Sequence, residues 1–116
     1  MKIRFLNGTV KEFDTLQMQT LADVDLREAQ LAGENLSRAN FKGSCMYAAN
    51  LRGANLQGAN LEGVDLAFAA LGGANLQGAN LQGADLWRAD LERADFEGAD
   101  LTGADLTGTV LDKEQE

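Results

Sequence analysis

Apolar residues recur at every fifth position over most of this chain, a spacing that suits neither common regular structure. From Leu16 to Leu111 all 20 positions of the series are apolar, 17 of them Leu and the others Phe41, Met46 and Phe96. Two residues earlier, between residues 29 and 104, 13 of 16 positions are Ala, and the residue between is Asn or Asp in 13 of 16. A helix needs apolar residues three and four apart, and a strand needs alternation. Wound as a helix, a five-residue step advances ~500°, so the leucines would ring the whole cylinder. The 11 Gly residues two places after the apolar series would each cost a helix about 1 kcal/mol besides. What remains is a chain that turns a corner every five residues and sends Leu and Ala toward a shared axis. Gly relieves the backbone at the corners. That is a solenoid.

The runs Ala49-Asn50-Leu51, Ala54-Asn55-Leu56 and Ala74-Asn75-Leu76, continued through Ala104-Asp105-Leu106, resemble the pentapeptide-repeat family, whose motif is Ala-(Asn/Asp)-Leu-x-x. The resemblance covers roughly residues 16–111. It implies an all-β fold, a right-handed quadrilateral parallel β-helix with four pentads per coil and about five coils. The number four comes from the family, since the period alone says only that the chain turns. At ~4.8 Å per strand spacing the coils would build a rod of about 24 Å.

The N-terminus stands outside the repeat. Lys2-Ile3-Arg4-Phe5-Leu6, Asn7-Gly8 and Thr9-Val10-Lys11-Glu12-Phe13 predict a β-hairpin on a two-residue type I′ turn. Phe5 is expected to face Val10, with Ile3 on the same side. A hairpin is marginal alone, so this one should rest on the first coil as a cap. The expected division is a hairpin cap at 1–15, the solenoid at 16–111 and a charged tail at 112–116. Glu34, Ser44 and Gln19 fall in inward alanine positions. An inward carboxylate is costly if dry and unpaired, and Arg4 or Lys11 of the cap, or water, would reach Glu34. Asn7-Gly8-Thr9 and Asn35-Leu36-Ser37 also match the glycosylation acceptor pattern, although turn and repeat account for both.

Candidate chemistry is sparse. The chain has no His, which removes the usual general base and a principal zinc ligand. Cys45 is the single cysteine and stands where Asn or Asp is usual, as a tolerated substitution. Along the repeat that position changes from Asn to Asp, ending in Asp85, Asp90, Asp95, Asp100 and Asp105. Side chains of this kind bond turn amides, whereas Ca²⁺ needs 6–8 converging oxygens and an outward ring diverges. No enzyme activity, cofactor or metal is expected.

Charge adds one asymmetry. The net charge of −8 is carried by the second half: residues 1–60 hold seven basic and six acidic groups, residues 61–116 three and twelve. Phosphates would be repelled there, so no direct nucleic-acid binding is expected. No apolar run approaches the ~18 residues of a membrane span and no leader pattern is present. A soluble, cytoplasmic protein is expected, a cleaved leader being the alternative.

With 20-residue coils, Arg27, Tyr47, Ala67, Trp87 and Thr107 stack in one column and Glu28, Ala48, Phe68, Arg88 and Gly108 in the next. Tyr47, Phe68, Trp87 and Arg88 then form an exposed patch of the kind that marks contact sites; the competing reading is that the rings only shield the leucines. At the far end Thr109 and Val110 break the motif, and the expectation is either an end-to-end homodimer with Val110 and Leu111 as contacts or a C-terminal segment folded over the opening. The expected function is a non-catalytic structural or protein-interaction scaffold. The resemblance suggests one alternative, an acidic DNA-mimic rod that binds DNA gyrase or another DNA-binding protein. A designed or trimmed piece of a longer solenoid is a second.

Overall fold

The structure, a computed structural model, describes residues 1–12 and 21–112. Phe13, Leu16, Gln19 and the tail beyond Asp112 therefore lie outside the described residues.

Hydrogen bonding within one pentad explains the motif. In Asn55-Leu56-Gln57-Gly58-Ala59, the Leu56 N–H donates to the Asn75 carbonyl of the following coil at 2.7 Å and the Gly58 N–H to that of Gln77 at 2.9 Å. The Asn55 N–H donates back to the Glu34 carbonyl at 2.9 Å, and the Ala59 N–H closes a turn on the Leu56 carbonyl at 3.0 Å. Only the Gln57 N–H is left over, and Asn55 Oδ1 accepts it at 3.0 Å. All five donors are satisfied, as packed backbone demands, and the Asn/Asp position serves the one donor that the backbone cannot. The same side-chain bond recurs at Asn35, Asn60, Asp85 and Asp105. Within the turn only the second central residue has positive φ, +67° at Gly58, which makes it type II.

Parallel bridges join residues 20 apart in a series that runs from Asp25–Cys45 to Asp85–Asp105. Four pentads therefore complete each coil. Leucines of the repeat from Leu21 to Leu91 are at most 2% exposed, with Phe41 and Met46 in the same core. Each such burial is worth ~1.5–3 kcal/mol. Ser44 keeps its inward place by donating its hydroxyl to the Leu21 carbonyl and accepting the Val24 N–H at 3.1 Å. Toward the last coil burial fades: Phe96, Leu101 and Leu106 are only partly covered. The chain there closes on itself, the Thr109 hydroxyl donating to the Leu106 carbonyl at 2.7 Å and the Asp112 carboxylate accepting the Gly108 N–H at 3.0 Å. Val110 and Leu111 remain 68% and 38% exposed.

At the other end, β1 (Lys2–Phe5) and β2 (Val10–Glu12) form an antiparallel hairpin, and β1 pairs with β3 (Ala29–Gln30), giving the order β2-β1-β3. The turn differs from the expected one. Leu6, Asn7 and Gly8 form a three-residue loop: Gly8 N–H bonds the Phe5 carbonyl, Phe5 N–H bonds the Thr9 carbonyl, and only Gly8 has positive φ. Asn7 Oδ1 accepts the Thr9 N–H at 2.9 Å, and Asn7 lacks the positive φ that a type I′ turn requires. The extra loop residue shifts the register, so Val10 opposes Arg4 and not Phe5. All three residues of β2, the outer strand, are exposed, Val10 at 50%, whereas Ile3 of β1 is fully buried.

Glu34 also departs from its expected inward place. It is exposed and forms no ion pair with Arg4 or Lys11 among the described residues. The hairpin extends the wall of Gln30, leaving the neighbouring wall of Glu34 uncovered by it. By adding two strand spacings, ~10 Å, to one wall, the hairpin also helps bring the longest dimension to 43 Å.

Candidate interaction surface

The pentad turns stack into four corners, and one of them differs from the rest. Positive φ is required at the second turn residue of every pentad, a conformation that costs a residue with a side chain ~1–2 kcal/mol and glycine nothing. Three corners use glycine at ten of 13 such positions, the exceptions being Asp23, Arg38 and Arg93. The fourth carries Glu28, Ala48, Phe68 and Arg88 in succession, at φ 61°, 57°, 59° and 55°, before reaching Gly108. Strain has thus been retained over four coils of a single edge.

That edge holds the aromatic side chains that the 20-residue spacing brings together. Phe68 lies between Tyr47 and Trp87 in edge-to-face contact with both, with centroids 5.6 and 5.1 Å away and interplanar angles of 66° and 87°. The Arg88 guanidinium covers the outer ring at 5.1 Å from the Trp87 centroid. Gly108 makes room for it, since a Cβ there would come within 2.8 Å of Arg88 Cγ. Tyr47, Phe68 and Trp87 stay 41%, 44% and 38% exposed. Ala67, flanked in its column by Tyr47 and Trp87, is only 6% exposed, so the cluster shields as well as projects.

Sequence reasoning missed a cavity of about 400 Å³ at the head of the same edge, lined by Phe5, Leu6, Lys11, Arg27 and Glu28 among others. Arg27 and Glu28 were legible as the first members of the two columns; the hairpin residues that complete the cavity were not, because their placement follows from the loop and the β1–β3 pairing. Lys11 Nζ sits 5.4 Å from the Phe5 ring centroid. Arg27 is engaged by Asp25 through two bonds, 2.9 and 2.8 Å.

Those bonds hold the Asp25 carboxyl down at about 2 and push the Arg27 guanidinium up. Asp100 and Asp105 also lie below the ordinary carboxylate range, chiefly through bonds from Thr102 and Thr107 respectively. The aspartates that end the repeat are committed to their turns. Cys45 Sγ lies 3.9 Å from Asp65 Oδ2. Among the described residues no group of three or more Asp, Glu, Cys or His side chains is placed to hold a metal, and no helix is long and apolar enough to cross a membrane.

A parallel stack of square coils, most pentads fixed by an Asn or Asp side chain that accepts the amide two residues on, defines a repeat solenoid, and comparison places it. The description "Pentapeptide repeats" matches in eight copies over residues 21–58, 44–83 and 74–112. The chain belongs to the pentapeptide-repeat family, and its fold is the all-β right-handed β-helix of that family.

Among solved structures it is similar to the pentapeptide repeat protein Rfr23 of the cyanobacterium Cyanothece 51142, at 35% identity and a TM-score of 0.74 over 78% of this chain and 62% of that one. A pentapeptide repeat protein from the Arabidopsis thaliana thylakoid lumen follows at 33% and 0.62, over 82% and 70%. A trypsin-treated form of QnrB1, a plasmid-mediated fluoroquinolone resistance protein, is similar at 29% and 0.50, over 76% and 45%. The chain thus spans less than two thirds of the Rfr23 structure it matches. Comparison with curated protein sequences finds no significant match.

Proposed function

We propose that this protein is a non-catalytic interaction scaffold that presents the Tyr47–Phe68–Trp87–Arg88 corner to a protein partner. One observation carries the reading: three adjacent aromatic rings stay about two-fifths exposed on the one edge where strained side chains replace glycine in four successive coils. Rings that served only as shielding would gain from fuller burial, and glycine would spare the backbone. Contact energy is typically concentrated in a few aromatic and Arg residues of this kind. The triple change Tyr47→Ala, Phe68→Ala, Trp87→Ala tests it. The expected result is a folded solenoid that no longer retains partners bound by the parent in cross-linking and affinity capture. Loss of stability with every partner retained would refute the proposal.

Self-association through the last coil accompanies it, with Val110 and Leu111 as contacts. Both are exposed beside a core that is only partly covered. Val110→Asp with Leu111→Asp should convert a dimer to a monomer in sedimentation; a parent protein monomeric at high concentration would exclude it.

A second reading is favoured by the distribution of charge and by the similarity to QnrB1. Residues 85–112 place eight carboxylates around the last coils against two arginines, and an acidic rod of this shape is suited to a site built for DNA, such as that of DNA gyrase. A supercoiling assay with purified gyrase checks it, unchanged activity at a large excess of the protein counting against it. The cytoplasm is the proposed compartment for either role.

A further inference from the structure

We propose that Asn7 is a site of spontaneous deamidation, and that its conversion to isoaspartate releases the hairpin cap from the solenoid. The chain carries eight asparagines, and only Asn7 precedes a glycine; the other seven precede Leu or Phe. Deamidation begins when the backbone nitrogen of the following residue attacks the side-chain carbonyl carbon. A branched or aromatic side chain on that residue obstructs the attack, and glycine, with no Cβ, permits it.

The seven repeat asparagines serve as controls within the same molecule. In all eight the side-chain oxygen accepts the N–H two residues on, at 2.9–3.2 Å, so side-chain geometry does not separate them. The nucleophile does. After each repeat asparagine the next N–H donates to a carbonyl of the following coil at 2.7–2.8 Å, and the side chain of that residue is at most 2% exposed. Freeing such a nitrogen means parting two coils. Gly8 N–H donates to the Phe5 carbonyl at 3.0 Å, inside a loop whose residues Leu6, Asn7, Gly8 and Thr9 are all exposed. Exposed loops open locally at far lower free energy than packed core.

The chemistry needs only water. The deprotonated Gly8 nitrogen bonds to Asn7 Cγ, the Cγ–Nδ2 bond breaks, and ammonia leaves with a proton taken from solvent, giving a cyclic imide. Water then opens the ring at one of its two carbonyls. Cleavage at Cγ gives aspartate; cleavage at the main-chain carbonyl carbon leaves the chain running through Cβ and Cγ, which is isoaspartate. One water is consumed and one ammonia released, with no change of oxidation state.

The cap tolerates the second product poorly. Its loop is closed by Gly8 N–H on the Phe5 carbonyl at 3.0 Å and by Phe5 N–H on the Thr9 carbonyl at 2.9 Å. An extra main-chain carbon between residues 7 and 8 puts both bonds out of register. Either product also adds a carboxylate to the cavity that Asn7 lines, where Asp25 and Glu28 already match Lys11 and Arg27. Among the described residues β1 pairs with the coils at Arg4–Gln30 and Phe5–Ala29, a short ladder to hold against those changes. Release uncovers Ile3, which the intact cap buries completely.

Trypsin cuts after Arg4 and Lys11, isolating Phe-Leu-Asn-Gly-Thr-Val-Lys for mass spectrometry once the folded protein has been incubated at neutral and mildly alkaline pH. Isoaspartyl methyltransferase labels the product. Conversion of Asn7 is expected within days and faster as pH rises. It should run at least about tenfold ahead of any repeat asparagine, the ratio that ~1.4 kcal/mol of difference in opening cost supplies. The synthetic peptide of residues 5–11 is incubated in parallel. If the peptide converts while the folded protein keeps Asn7 intact, the proposal is overturned, as it is if a repeat asparagine converts equally fast. The modified protein, separated by ion exchange, should lose hydrogen-exchange protection at Lys2–Phe5 and Val10–Glu12 and keep it in residues 49–91. Unchanged protection in the hairpin would refute release of the cap. Asn7→Gln should show neither conversion nor loss of protection; a hairpin that loosens equally in that variant on incubation also refutes release by deamidation.

Discussion

Phe68 offers a test in which two physical terms oppose each other. Its ring makes two edge-to-face contacts, each worth ~0.5–1.5 kcal/mol, while its backbone sits at φ 59°. Phe68→Ala deletes the contacts and keeps the strain, so a loss of about 1–3 kcal/mol is expected. Phe68→Gly deletes the same contacts but relieves ~1–2 kcal/mol of left-handed strain. Against this stands ~0.4–1 kcal/mol for the added freedom of the unfolded chain. The glycine variant should therefore be the more stable of the two by about 0.5–1 kcal/mol, a few degrees in melting temperature, reversing the order expected in a strand or helix interior. Gly53→Ala is the control, because φ there is +65° and a Cβ would meet nothing within 4 Å; any loss it shows is conformational. Thermal and urea denaturation followed by circular dichroism reads all three. A Phe68→Ala protein at least as stable as Phe68→Gly would refute the claim that this corner is strained.

Other expectations follow from the core, the turns and the cap. Leu76→Ala, at a position with no exposure, should cost ~2–5 kcal/mol, and Ala74→Leu should destabilise through overpacking by about 1–3 kcal/mol; an Ala74→Leu protein that melts like the parent would contradict the inward placement of that slot. Asn55→Ala leaves the Gln57 N–H without its acceptor and should cost about 1 kcal/mol, whereas Ala70→Asn, where the motif lacks the side chain, should be neutral or stabilising in the same denaturation assay. Deleting residues 1–14 uncovers the core around Ile3 and should increase aggregation while leaving β circular dichroism, since repeats are stabilised mainly by their neighbours; complete unfolding would make the hairpin a folding nucleus. The folded-state pKa values of Asp25, Asp100 and Asp105 are depressed. Their contribution is therefore present above the ordinary carboxylate range near ~4 and lost as pH falls toward 2, a decline in melting temperature that Arg27→Gln should diminish.

Much of this protein was legible before any coordinate. A five-residue apolar period has no helical or strand solution, so corners, an inward Leu and Ala, and Gly at the turns follow from sterics alone. The Asn/Asp position was readable as a turn bond because the geometry is local: the side chain reaches an amide two residues on. The aromatic columns were readable only with a coil of four pentads, a number taken from the family resemblance. The parallel bridges at 20 residues supply it from the structure. Tertiary structure alone decided the rest. That Asn7-Gly8 belongs to a three-residue loop, in which Asn7 Oδ1 accepts the Thr9 N–H, set the pairing register of β1 with β2. Glu34 is inward by its place in the motif and exposed in fact, because the hairpin lies on the wall of Gln30 and not on its own. The cavity beside Glu28 is equally tertiary: it arises where a hairpin distant in sequence is brought to one edge of the coils, and no local pattern encodes that meeting.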